Sequence, residues 1–171
     1  MGRRLIGFLL AVIVAAGAYA STLLATPSSG FVGTTLAVAR FDEIDVKNFT
    51  LPANFWQARL KTQGLSDVYV QSNVWAPVTG SAPGGTTGWH THPGHSLILV
   101  TAGTVTAYEG DDPTCTPQVY SQGMGFVDPG GDHLHVLRNE GSIEARTITV
   151  QLIPAAAVRR LDRAAPGNCP F

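Results

Sequence analysis

From Ser66 onward the chain is a succession of short runs cut by glycine and proline, and none of them carries the apolar period of a helix. "SDVYVQSNVWAP" sets Val68, Val70 and Val74 between polar neighbours, the pattern of a half-buried strand. "PVTGSAPGGTTG" then breaks the pattern as a loop of glycine and small residues. "SLILVTAGTVTAYEG" reads as two strands hinged at "TAGT", and "GMGFVDPGGDHLHVLRNEG" as two more around the turn "DPGGD". "IEARTITVQLIP" is a last, longer strand. Strands at this spacing, without an internal repeat, predict an all-β sandwich or barrel. Upstream, "TTLAVARFDEIDV" is rich in β-formers, while "NFTLPANFWQARLKTQG" leaves two options open, a short helix started around Pro52 and Asn54 or a plain loop.

A length of 171 residues suits one sizeable core and not two. The expected division is a signal segment over 1–20, N-terminal strands and a loop over 21–66 packing on a barrel, and the barrel with its tail over 67–171. Arg3 and Arg4, the apolar run "LIGFLLAVIVAAGA" and the small-residue site "AYA" before Ser21 have the three-part form of a secretory signal cleaved after Ala20. An uncleaved anchor is the alternative, because the uncharged stretch reaches from Leu5 to Ala25 and is long enough to span a bilayer. Either way the folded part is expected outside the cytoplasm, with no membrane contact beyond this segment. The 11 basic and 12 acidic residues leave no basic surface for phosphate backbones, so no nucleic-acid partner is expected.

Export bears on the two cysteines. In an oxidising compartment Cys115 and Cys169 are expected to form a structural disulfide pinning the C-terminal tail. A free thiol at Cys115 is the rival reading.

All 5 histidines fall in two clusters, "GWHTHPGHS" and "GDHLHVL". Residues two apart on a strand share a face, so His90 projects beside His92 and His133 beside His135. Burying several imidazoles together without a cation leaves donors and acceptors unpaired, at a cost of a few kcal/mol. The clusters therefore point to a metal site. Nucleophile-elbow and phosphate-loop patterns are absent, since "APGGTTG" has neither the lysine nor a following helix.

With these residues set out, the sequence resembles the cupin superfamily, double-stranded β-helix barrels of the jelly-roll type. Gly84, His90, His92, Ser96 and Gly103 keep every spacing of that family's first motif. Gly123, Pro129, Gly131, His135 and Asn139 follow its second, with one extra residue between Gly131 and His135. The resemblance implies that His90, His92 and His135 bind one divalent metal ion, with zinc, iron, copper, nickel and manganese all left open. It departs at Ser96, where the family usually has a glutamate ligand. His133 and His95 are the candidates for a fourth ligand. A bulge from the extra residue would turn His133 away, and the direction of His95 after "PG" cannot be read.

Asp128 flanks the second motif and could orient a ligand imidazole, as could Ser96 and Trp89 beside the first; Asp before Pro-Gly is also an ordinary turn former. The functional expectation is an exported protein that binds a small ligand at a three-histidine metal site. The alternative is a metal-dependent enzyme of dioxygenase, isomerase or hydrolase type. Family members often pair through sheet edges, so the resemblance allows a homodimer.

Overall fold

In a computed structural model the described residues are 25–50 and 56–171, and they form strands, turns and loops without a helix. The expected signal segment, 1–20, lies outside them, as do Pro52 and Asn54. The strands are β1 (Phe31–Phe41), β2 (Asp45–Phe49), β3 (Gln57–Lys61), β4 (Ser66–Trp75), β5 (His90–His92) and β6 (Ser96–Ala102). They continue with β7 (Thr104–Glu109), β8 (Gln118–Ser121), β9 (Gly125–Asp128), β10 (Gly131–Arg138), β11 (Ala145–Pro154) and β12 (Leu161–Asp162).

Two five-stranded antiparallel sheets face each other, ordered β1-β4-β11-β6-β9 and β12-β5-β10-β7-β8. Between β4 and β11 the chain changes sheet at every connection except β7 to β8, which is the double Greek key of a jelly roll. One core cluster joins the sheets, with Trp75 and Ala145 from the first meeting Val105, Ala107 and Leu137 from the second. Burial of each of the larger side chains contributes roughly 1.5–3 kcal/mol. A second cluster, Trp89, Tyr108 and Val136, packs on the outer side of the second sheet against the disulfide Cys115–Cys169.

Gly103 and Gly84 are among the glycines that the geometry requires. Gly103 turns β6 into β7 with φ +66°, a left-handed conformation that side chains resist. Gly84 runs so close to the chain after β10 that a Cβ would overlap the carbonyl of Asn139.

The segment left open between helix and loop contains β3 and the end of β2, whose start lies in the β-rich run before it; the two form an antiparallel hairpin with Val46 opposite Leu60. All the residues of both strands are exposed, so no buried face marks the pattern in sequence. On β4 the strand is where the alternation puts it, but the inward side is Gln71, Asn73 and Trp75, while Val68, Val70 and Val74 take the opposite face. The barrel interior here is a cavity of mixed lining, so β4 turns two polar residues inward beside Trp75.

Candidate metal centre

β5 consists of the three residues His90, Thr91 and His92, so its two histidines share a face. His135 on β10 is the direct ladder partner of His90. The same ladder pairs Gly131 with His92, so four residues on β10 advance against two on β5. The extra residue seen in sequence is absorbed in this irregular stretch, ahead of His135, whose own pairing is kept.

The three rings come together. His90 lies 4.7 Å from His92 and 4.4 Å from His135 between ring centroids, and His92 lies 5.6 Å from His135. One ligating nitrogen from each is within 4.8 Å of the others. Each Nδ1 meets a backbone carbonyl: Gly88 at 2.8 Å for His90, Arg159 at 2.7 Å for His92 and His133 at 3.3 Å for His135. An Nδ1–H donated to a carbonyl fixes the tautomer and leaves Nε2 with its lone pair free, the form in which imidazole binds a metal. Burial lowers the pKa of all three, His135 to about 4, so they are held neutral. Three neutral imidazoles on a buried wall fit a divalent ion of borderline softness.

The histidines open on a cavity of about 250 Å³. Ser96, 2% exposed, lies in its wall, and Gln71, Asn73 and Gln151 add neutral polar groups. Arg159 and Arg160 bring positive charge. The Arg159 guanidinium lies 4.0 Å from the Tyr69 ring and donates to Gln151 Oε1 at 3.0 Å, Thr35 Oγ1 at 3.0 Å and Gln71 Oε1 at 2.6 Å. All of these partners are neutral. Arg160 is paired with Asp162 at 2.6 Å.

The two other histidines fall elsewhere. His95, just ahead of β6, lines a separate cleft with Lys61, Leu152 and Pro154. His133 lies behind His135, its ring stacked on that of His135 at 5.4 Å and its Nε2 2.6 Å from Glu109 Oε2. It does not line the cavity, although Asp128, His133 and His135 also bring ligating atoms within 4.8 Å of one another. Trp89 is buried in the outer cluster and does not line the cavity either.

Sequence reasoning missed Glu109 and Arg159. Glu109 ends β7 as the ladder partner of His135, and burial raises its pKa. Arg159 follows β11 and lines the cavity. Only the strand register and the chain's return path place them there, and no local pattern marks either.

The sequence matches the cupin domain family over residues 78–151, a span holding both histidine clusters and strands β5 to β10. Residues 78–151 form a cupin domain. No curated protein sequence matches it. Among solved structures, a cupin-like protein from Thermotoga maritima is 19% identical, with 57% of this chain and 65% of that one covered and a TM-score of 0.47. An oxalate oxidase is 23% identical, covering 52% of this chain and 46% of that one, with a TM-score of 0.40. A cupin superfamily protein from Desulfitobacterium hafniense is 11% identical over 70% and 81% of the two chains, with a TM-score of 0.40. The chain thus spans less than two thirds of the first two structures. This cupin domain carries a histidine grouping able to hold a metal ion, and its Cys115 is joined in a disulfide to Cys169 of the C-terminal tail.

Proposed function

We propose that this cupin holds one divalent metal ion on His90, His92 and His135 and captures a small anionic molecule beside it, outside the cytoplasm. The observation that carries the reading is the set of three backbone carbonyls at the Nδ1 atoms, which leaves three unprotonated Nε2 atoms on neighbouring rings. When bound, a divalent ion would supply positive charge and an open position for an anionic group. Arg159 supports the anionic class, since its charge meets only neutral partners at the cavity wall. Gln71 and Gln151 hold that guanidinium in place, and Trp75 and Ile98 give the cavity apolar surface for a small carbon skeleton. The N-terminal "LIGFLLAVIVAAGAYA" and the disulfide support export.

The test is elemental analysis of protein recovered without chelators or nickel columns, beside His92→Ala, followed by titration of the metal-loaded protein with small carboxylates. One equivalent of metal, lost in His92→Ala, and carboxylate binding weakened about tenfold or more in Arg159→Met would support the reading. Absence of metal after reconstitution, or carboxylate affinity unchanged in Arg159→Met, would remove the corresponding half of it.

A further inference from the structure

Asp128 ends β9 and is the direct ladder partner of Ser96 on β6, so the two side chains leave their sheet on the same side. Asp128 is 3% exposed. Its two oxygens have different surroundings. Oδ1 accepts the Gly130 N–H at 2.9 Å and lies 3.5 Å from His133 Nδ1 and 3.8 Å from His135 Nδ1. Oδ2 is buried without a hydrogen-bond partner and stands 3.7 Å from His92 Nε2. His92 Nδ1 lies 2.7 Å from the Arg159 carbonyl and 3.0 Å from Gln151 Nε2; the shorter contact is to a group that can only accept, so Nδ1 carries the proton and Nε2 the lone pair. Oδ2 and this Nε2 therefore face each other at 3.7 Å while Oδ2 has no hydrogen-bond donor, an arrangement that a shared cation would satisfy.

We infer that Asp128 Oδ2 is a ligand of the same ion as His92 and supplies the negative charge that Ser96 cannot. Two atoms bound to one ion at about 2.0–2.2 Å stand roughly 3 to 3.5 Å apart, so a small turn of either side chain closes the observed gap. Oδ1 stays with the Gly130 turn and beside His133, which leaves Oδ2 the oxygen nearer His92. The chemical consequence is a site of three imidazoles and one carboxylate, drawn from β5, β10 and β9. The inference rests on the metal reading proposed above.

The experiment titrates the full chain with cobalt(II) and records affinity and the visible absorption of the bound ion, in wild type, Asp128→Asn, Asp128→Glu and His92→Ala. Asn keeps an oxygen for Gly130 and nearly the same volume, so Asp128→Asn is expected to fold; melting of the metal-free proteins checks this. The expected result is an affinity lower on the order of 10- to 100-fold in Asp128→Asn with an altered visible spectrum, and partial recovery of both in Asp128→Glu. Wild-type affinity and an unaltered spectrum in Asp128→Asn, with cobalt still lost in His92→Ala, would overturn the role of Asp128 and leave the histidine site standing. Cobalt retained at full affinity in His92→Ala would overturn both. Should Asp128→Asn not fold, unchanged affinity and spectrum in Asp128→Glu would overturn the inference, since a longer side chain cannot keep the same ligand position without disturbing the ion.

Discussion

His90 and His135 stand directly opposite each other across the β5–β10 ladder, each 3% exposed, with ring centroids 4.4 Å apart. Burial holds both neutral, so neither imidazole relieves the other by taking a proton. His135→Ala is therefore expected to bind less than about a tenth of an equivalent of metal, while its metal-free melting temperature stays near that of the metal-free wild type. In the wild type, metal at about 100 times its dissociation constant adds about 2.7 kcal/mol, or roughly 5 to 10 °C in melting temperature. Elemental analysis and melting with and without a chelator check this. A full equivalent of metal in His135→Ala would remove that residue from the site.

Asn139, 2% exposed, closes the second motif in a different way. Its amide donates to the carbonyls of Ile143 at 2.8 Å, Ala76 at 3.1 Å and Trp75 at 3.3 Å, and its Oδ1 accepts Gly141 N–H at 3.0 Å. It ties the loop after β10 to the end of β4. Asn139→Ala leaves these backbone groups unpaired and is expected to cost about 2 to 4 kcal/mol. Denaturant unfolding measures the loss, and metal stoichiometry should stay at the wild-type value. Lost metal with unchanged stability would mean that Asn139 serves the site directly.

The strands and the histidine clusters could be read in the sequence because both signals are local. A strand shows its period within five or six residues, and His90 and His92 share a face wherever the strand lies. What failed needed longer-range information. β3 buries no face, so nothing in its sequence separated a strand from a loop or a helix. On β4 Val68, Val70 and Val74 point away from the cavity, which Gln71, Asn73 and Trp75 line. Glu109 reaches the histidines through the register that pairs it with His135, and Asp128 faces His92 through the turn that seats its other oxygen on Gly130. Neither register nor turn geometry is written in the spacing of the motifs.

The C-terminal tail is held at two points. Cys169 is bonded to Cys115 across 54 residues, and Phe171 lies under the Arg138 guanidinium at 3.9 Å and against Tyr108 at 5.0 Å. Closing a loop of that length removes denatured-state entropy worth about 4 kcal/mol. The Cys115→Ser/Cys169→Ser double variant is expected to melt roughly 10 °C lower than the oxidised wild type. Reduced wild type should melt with the variant. Equal melting temperatures for oxidised wild type and variant would show that the tail contributes nothing to the measured transition.

Acid stability should depend on Asp67, which accepts Arg40 Nε at 2.8 Å and Arg40 Nη2 at 3.0 Å and also takes the Ala156 N–H at 2.8 Å. These contacts join β1, β4 and the segment after β11, and the Arg40 guanidinium together with the Ala156 N–H lowers the Asp67 pKa to about 2. A carboxyl with a folded-state pKa below its unfolded value of about 3.9 stabilises the fold above that value. The contribution is lost as pH falls from about 4 toward 2, because the unfolded chain takes up the proton first. Asp67→Asn cannot titrate, so its stability deficit against wild type should be full at pH 5 and shrink steadily toward pH 2. Denaturant midpoints at a series of pH values measure that difference. A deficit that stays constant down to pH 2 would show that the Arg40 pair holds Asp67 by packing and not by charge.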